Sequence, residues 1–220
     1  MFSKRIERIA SKIPFGSNLA DVGCDHGYLI IEAYLNGKVN KAIAIDNKVG
    51  PLESAKSNIS KYLDVRYSLS SGINDIDFDT NSIVIAGMGG LLINSIIEEG
   101  IKLNKVNDSQ TYILEPNRNT YDVRKFLNEN CFKIIDEEVV YDQKKYYEII
   151  VCKKSDEKQI LTDDELMFGP VLLKTKDETF INKYKEEVEK LNKINNEQEI
   201  LKQKIERIKR VCLEKIYAII

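Results

Sequence analysis

A chain of 220 residues with a 43% hydrophobic fraction has room for one sizeable domain and an appendage, in the ordinary composition of a soluble globular protein. Its net charge of −2 excludes a globally basic nucleic-acid binder but leaves room for a local basic face. Cys24, Cys131, Cys152 and Cys212 are far apart, there is one histidine, no apolar run has membrane length, and the N-terminus is charged. Free thiols in a reducing cytoplasm are therefore expected, with no zinc site, membrane span or signal peptide.

Residues 2–13 place Ile6, Ile9 and Ile13 at helical spacing, and Pro14-Phe15-Gly16 ends that helix. A regular alternation follows. Strands are predicted at Leu19–Gly23, Lys41–Ile45, Asp64–Leu69, Ser82–Ala86 and Thr111–Glu115, with helices over residues 27–36, 51–62, 90–99 and 119–130. Short apolar strands alternating with helices predict a parallel sheet covered on both faces. The pattern then changes: Phe132–Tyr141 and Tyr146–Lys153 are extended runs joined by Asp142-Gln143-Lys144-Lys145, which suits a hairpin loop. Lys153–Gln159 reads as a charged linker between a first domain, 1–154, and a second, 155–220. Thr162 and Glu165 have capping-box spacing. From Lys176 to Ile220 the period is helical. One stripe holds Phe180, Tyr184, Val188 and Leu191, and another holds Leu201, Ile205, Ile208, Cys212 and Ile216. The asparagines of Asn192–Asn196 favour a turn, so two antiparallel helices in a coiled-coil hairpin are expected; one long helix is the alternative.

A parallel α/β sheet that finishes in an antiparallel hairpin resembles the S-adenosylmethionine-dependent methyltransferase fold: a Rossmann-like sheet of seven strands, the last antiparallel. The ligand face of such a sheet lies outside the carboxyl ends of its strands. There the first loop reads Asp21-Val22-Gly23-Cys24-Asp25-His26-Gly27-Tyr28. Its spacing, G-x-x-x-G, is neither the dinucleotide fingerprint nor a P-loop. Asp21, Asp25 and His26 suit the cationic amino-acid half of S-adenosylmethionine better than a pyrophosphate. A structural turn with Asp25 capping the helix explains the loop equally well. Asp46, at the second strand's end, is placed to accept from both ribose hydroxyls, or is simply a surface Asp. Ala86-Gly87-Met88-Gly89-Gly90 ends the fourth strand, and three glycines in four residues imply backbone held close to a cofactor or base. The Asn/Asp-Pro-Pro-aromatic tetrad of many amine methyltransferases is absent, which argues against amine attack by that scheme and leaves a ring nitrogen open as the acceptor. Asn117, in Glu115-Pro116-Asn117, either reads a base edge or caps the next helix. His26, as a lone histidine, is either structural or part of the pocket.

These segments resemble one family. Asp21 to Leu29 is similar to its D-I-G-S-D-H-A-Y-L loop, Gly50-Pro51-Leu52 with Ser54-Ala55 to its G-P-L-x-S-A, Ile85 to Gly90 to its I-A-G-M-G-G, and Leu114 to Asn117 to its L-Q-P-N; Phe168-Gly169-Pro170 and the helices beyond match its C-terminal region. This is the TrmK family, bacterial tRNA (adenine-22-N1)-methyltransferases. The resemblance implies an enzyme using S-adenosyl-L-methionine, with tRNA as partner, no metal, and a monomeric, cytoplasmic protein. It implies cofactor contacts from Asp21, Gly23, Cys24, Asp25, His26, Tyr28, Asp46, Asn47, Ser71, Gly72, Ala86, Gly87, Met88 and Gly89. It implies reaction by alignment, with Asp21, Asp25, Met88 and Asn117 as positioning groups. RNA contacts are expected from Lys202, Lys204, Arg207, Lys209 and Arg210, in a stretch (Leu201–Lys215) of local net charge +4, and from Lys4, Arg5 and Arg8 on the first helix. A solvated helix face explains those charges as well. The family's Gly-Asp-Gly after the third strand is here Ser70-Ser71-Gly72, with Asn74 the nearest substitute for the missing Asp; Asp46 stands for a Glu, and Glu115 for Gln. Two other readings remain at this stage: a methyltransferase of another substrate, and a non-catalytic scaffold.

Overall fold

The computed structural model describes residues 2–63, 65–77, 79–194 and 199–214. The chain divides into two compact units, Met1–Ile160 and Leu161–Ile220. The division lies past Lys154 because the linker stays with the first unit: the Gln159 side chain accepts from the Ile134 N–H at 3.0 Å.

The first unit runs α1 (Lys4–Ser11), β1 (Ser17–Val22), α2 (Tyr28–Leu35), β2 (Val39–Asp46), α3 (Val49–Ile59), β3 (Arg66–Leu69), β4 (Ser82–Gly89), α4 (Gly90–Lys102), β5 (Thr111–Arg118), α5 (Thr120–Glu129), β6 (Phe132–Asp142) and β7 (Lys145–Lys154). Seven strands form one sheet in the order β3-β2-β1-β4-β5-β7-β6. β7 pairs antiparallel with β5 and with β6, while the other pairings are parallel. Leu19, Ile43, Ile45, Ile83, Ile85 and Ile113 are buried in the central strands. Helices on both faces leave these strands no wet side, which is why they read as continuous apolar runs.

The order of strands reverses between β1 and β4, which are parallel, and register aligns the strand ends there. Val22 lies opposite both Ile45 of β2 and Ile85 of β4, and Ile85 lies opposite Leu114 of β5. The carboxyl ends therefore share one edge, with a crevice at the switch point.

The β6–β7 turn is tighter than the four-residue loop expected. Only Gln143 (φ 47°) and Lys144 (φ 63°) lie between the strands, both left-handed, as a two-residue hairpin matching sheet twist requires. Neither is Gly or Asn. The adjoining Tyr141 and Tyr146 rings, 4.7 Å apart, pack across the strands beside the turn. Helix α1 is tied to β6 by Arg8 on Glu138 (2.6 Å) and by Lys12 on Asp136 (2.7 Å) and Glu138 (2.9 Å). Under α5, the fully buried Arg124 bridges Glu137 and Glu148.

The second unit contains α6 (Asp163–Phe168), α7 (Leu172–Thr175), α8 (Glu178–Lys193) and α9 (Glu199–Ile208), the last widening into a π-helical turn at Lys209–Leu213. The capping box forms as the spacing required, with the Glu165 N–H donating to Thr162 Oγ1 at 3.2 Å and the Thr162 N–H to Glu165 Oε2 at 2.9 Å. Phe180, Tyr184 and Val188 of one stripe and Ile205, Ile208 and Cys212 of the other are buried. Lys204 pairs with Glu187, and Lys176 donates to the Val211 carbonyl, so α8 and α9 run in opposite directions. This excludes a single continuous helix. Asn195 and Asn196 of the expected turn, and Lys215 and Ile216, lie outside the described residues.

Candidate functional site

The crevice at the sheet's carboxyl edge is a cleft of about 390 Å³. Each strand end contributes to its wall: Val22, Gly23 and Asp25 after β1, Asp46, Asn47 and Lys48 after β2, Ser70 and Ser71 after β3, and Ala86, Gly87 and Met88 in β4. Pro51, Leu92 and Ile96 add apolar surface. Eight of the expected cofactor residues thus meet in one place. Gly72 is instead buried against Ile96, Gly89 packs on Arg118, and neither lines the cleft.

Gly23 sits at φ 78°, in the left-handed region that favours glycine, and the flexible end of the Met88 side chain from β4 packs over it, its methyl carbon 2.2 Å from where a Cβ would be. Gly87 (φ 74°) has nothing within 4 Å of a Cβ position; its backbone lies open in the cleft wall. Two side chains from β5 hold it in that conformation. Glu115 Oε2 accepts from the Gly87 N–H at 2.9 Å, and Asn117 Nδ2 donates to the Gly87 carbonyl at 2.6 Å. Asn117 therefore does not cap α5, whose N-cap is Asn119.

A second hollow, about 100 Å³, shares Gly23, Asp25 and Ala86 with the cleft and is otherwise lined by residues such as Arg5, Asp21, Cys24, His26 and Tyr28. Asp21 is 4% exposed; burial, then the nearby Asp46 and Asp25 carboxylates, pushes its carboxyl up to about 7. Burial likewise pushes the Cys24 thiol far above its ordinary range, so it stays protonated and is no nucleophile. Asp25 is exposed at φ 46° and caps nothing: the N-cap of α2 is Gly27, without a side-chain bond. The His26 ring bonds Ser54 Oγ through Nδ1 (2.7 Å) and stacks on Tyr28 at 5.4 Å between centroids. Asp46 Oδ1 accepts from the Lys48 N–H at 3.0 Å. Asn74 does not take the place of the missing Asp, because its amide donates to Glu99 (3.0 Å) away from the cleft.

Of the cations assigned to RNA, Arg5 turns inward, its Nη1 3.5 Å from Glu115 Oε2 and its guanidinium 5.0 Å over the Tyr147 ring. Arg8 is spent on Glu138. In the second unit Lys204 pairs with Glu187 (2.8 Å), Arg207 with Asp163 and Asp164 (2.6 Å each), and Arg210 lies 3.7 Å from Asp164. Lys4, Lys202 and Lys209 are exposed, with no ion pair among the described residues. Glu115 was not singled out from sequence as a site residue. It is fully buried; burial pushes its carboxyl up, while Arg5 and the Gly87 N–H pull it back. Its only sequence signal is that residues 115 and 117 share a face of β5. Among the described residues no helix is long and apolar enough to cross a membrane, and no group of three potential ligands could hold a metal.

Strand order, a closing antiparallel hairpin and a glycine- and carboxylate-lined cleft at the switch point define a Rossmann-like methyltransferase sheet. The model of the family "TrmK: tRNA (adenine(22)-N(1))-methyltransferase" matches residues 19–219. The chain is 34% identical to the tRNA (adenine(22)-N(1))-methyltransferase of Bacillus subtilis over 197 residues, 85% of this chain and 81% of that protein. It superposes on Streptococcus pneumoniae Sp1610, crystallised in complex with S-adenosyl-L-methionine, with a TM-score of 0.88 at 36% identity, covering 96% of this chain and 100% of the other. It also superposes on M. capricolum TrmK in complex with S-adenosyl-homocysteine, with a TM-score of 0.81 at 25% identity, covering 96% and 97%. The chain belongs to the TrmK family of tRNA (adenine(22)-N(1))-methyltransferases.

Proposed function

We propose that this chain transfers a methyl group from S-adenosyl-L-methionine to N1 of adenine 22 in tRNA. The observation that carries the reading is the cleft where β1, β2 and β4 end, in a chain of this family. The residues suit the cofactor. Asp46 has one carboxylate oxygen uncommitted for the ribose diol, Ser71 offers a hydroxyl where the family has Asp, with Ser70 beside it in place of Gly, and Asp21 and Asp25 offer negative charge to an ammonium. When bound, S-adenosylmethionine supplies an already electrophilic methyl.

Adenine N1 carries a lone pair and needs no deprotonation, so the chain's task is alignment. Gly87, fixed by Glu115 and Asn117, presents backbone at the strand end where the base must approach, and Met88 closes the wall beside it. The methylated adenine is cationic, and the carboxylates at this edge favour that charge. N1 lies on the Watson–Crick edge, so the base must be unpaired or flipped, costing a few kcal/mol that tRNA contacts elsewhere supply. The second unit, with Lys202 and Lys209, is assigned to those contacts; the protein acts as a monomer in the cytoplasm. The test is transfer of tritiated methyl to unmodified tRNA with mapping of the product. Label at N1 of adenine 22, lost in a transcript carrying guanine there, is expected; label on another base or none at all refutes the reading.

A further inference from the structure

The turn between β6 and β7 is built from residues that its geometry does not favour. Gln143 (φ 47°) and Lys144 (φ 63°) both lie in the left-handed region, where Gly and Asn fit at least cost. Asn-Gly would close the same hairpin with less strain. Strain kept in a turn points to a use for its side chains beyond closing the turn.

The position of the turn supplies that use. β7 runs antiparallel to β5, so the turn lies at the carboxyl edge of the sheet. The last β5–β7 pair sets Leu114 opposite Ile150, and the β6–β7 ladder continues from there to Asp142 opposite Lys145. The tip therefore stands beside the mouth of the cleft. It is seated on the start of α1, where the Arg5 N–H donates to Asp142 Oδ2 at 3.3 Å. Gln143 lines a recess of about 550 Å³ with Phe2, Asp25, His26 and Tyr28, and Asp25 also lines the cleft.

The groups at the tip match one kind of partner. Gln143, Lys144 and Lys145 are exposed, and the two lysines make no ion pair among the described residues. Asp142 lies opposite Lys145, which leaves Lys144 the freer cation. Tyr141, 42% exposed, adds ring surface beside them. An ammonium for phosphate, an amide with donors and an acceptor, and an exposed ring are what an RNA strand engages outside a stem. Gln143 and Lys144 offer a protein partner little apolar surface to bury. We propose that the tip of the β6–β7 hairpin is an RNA contact of the catalytic unit: Lys144 meets a phosphate of the tRNA strand beside the target adenine, and Gln143 bonds to a sugar or base of that strand. This surface is formed by the first unit alone, and it rests on the tRNA reading above.

The test is binding of unmodified tRNA to the full chain at several salt concentrations, beside thermal unfolding and calorimetry with S-adenosylhomocysteine. Lys144→Gln is expected to weaken tRNA about three- to tenfold and to flatten the dependence of log K on log salt by roughly 0.7–0.9, with cofactor-product affinity held within about twofold. The same change at Lys133, exposed at the far end of β6, leaves tRNA binding as it was. Gln143→Asn combined with Lys144→Gly installs the favoured turn. It should raise the thermal midpoint by about 2–6 °C and weaken tRNA at least as much as Lys144→Gln does. A chain made more stable and poorer at holding tRNA is not what a merely structural turn gives. Unchanged tRNA affinity and slope in both tip variants overturn the proposal and leave the tip to a protein partner. An equal loss in Lys133→Gln also overturns it, by reducing the effect to net charge. A parent chain that binds no tRNA overturns the tRNA reading itself. Methyl transfer to a base other than adenine 22, with the tip variants still weakened, overturns the target reading and upholds the RNA surface.

Discussion

Asn117 donates to the carbonyl of Gly87 at 2.6 Å, while the Gly87 N–H is taken from the same strand by Glu115. Both sides of one left-handed residue in the cleft wall are thus gripped from β5. Asn117→Asp keeps the size of the side chain but turns an acceptor toward the Gly87 carbonyl. It should lower kcat by about 10- to 100-fold, with cofactor affinity changed by less than about threefold. Asn117→Ala, which leaves the carbonyl to water, should cost less. Steady-state kinetics beside calorimetry check the pair; equal activity of Asn117→Asp and the parent refutes the clamp.

Asp46 is buried and bound to the Lys48 N–H through one oxygen only. Asp46→Ala should weaken S-adenosylhomocysteine by about 10- to 100-fold through the lost ribose contacts, with the thermal midpoint little changed. Asp46→Asn, which keeps one acceptor, should fall between. Unchanged affinity of Asp46→Ala removes Asp46 from the site.

Asp21 makes stability and binding respond to pH in opposite senses. Its carboxyl is raised from 3.8 to about 7 by burial, with Asp46 and Asp25 adding to it. The folded state therefore holds a proton that the unfolded state has released. That contribution is intact below about pH 4 and disappears as pH rises through about 7. The ligand-free protein should lose stability over this window, and Asp21→Asn should remove the slope, gaining up to about 4 kcal/mol at pH 8. An ammonium beside Asp21 favours its ionised form, so S-adenosylhomocysteine should bind more tightly as pH rises from 6 to 8 in the parent and not in Asp21→Asn. Urea unfolding and calorimetry across that range read both effects; a parent with flat profiles refutes the assignment.

What could be read from the amino-acid pattern, and what could not, follows from the kind of information each residue carries. Asp46, Gly23 and the Ala86-Gly87-Met88 run were legible because strand ends are punctuated by residues that are poor in strands, and because the fold puts those ends on one edge. Gly72 and Gly89 belong to the same segments yet face away, since membership of a loop does not fix the direction of a residue. The β6–β7 turn lacks Gly or Asn, so its two left-handed residues left no trace in composition. Arg5 and Arg8 look like a basic surface patch on helical spacing, and only the tertiary placement of Glu115 and Glu138 turns them into ion pairs. Glu115 was the hardest to see. Its role depends on the register that sets it opposite Ala86, beside Gly87, and register across strands is not written in either strand alone.

Arg124 carries a prediction about stability alone. It lies fully buried between Glu137 and Glu148. Arg124→Met leaves two buried carboxylates facing each other without a cation, which should cost about 3–5 kcal/mol. Adding Glu137→Leu and Glu148→Met to it should restore most of that loss, because the desolvated charges disappear together. Urea denaturation distinguishes this from a site where Arg124 serves only as packing, in which the triple variant would be the least stable.

In the second unit, charge and availability differ from one basic residue to the next. Lys204, Arg207 and Arg210 face Glu187, Asp163 and Asp164, whereas Lys202 and Lys209 are exposed with no ion pair among the described residues. A paired cation gains less on meeting a phosphate than an unpaired one does, since its counter-charge must be displaced or left behind. Phosphate contact by this unit should therefore run through Lys202 and Lys209. Replacing both with Gln should raise KM for tRNA about tenfold with kcat held, and should flatten the dependence of log K on log salt by roughly 0.7–0.9 per lysine. The same change at Lys204 should have a smaller effect on tRNA. Cofactor affinity should be the parent's in every variant, because the cleft is built from strand ends of the first unit. Filter binding at several salt concentrations reads the slope directly. An unchanged slope in the Lys202/Lys209 variant would move the RNA surface off this pair of helices and back to the catalytic unit, where Lys4 is the exposed cation on α1.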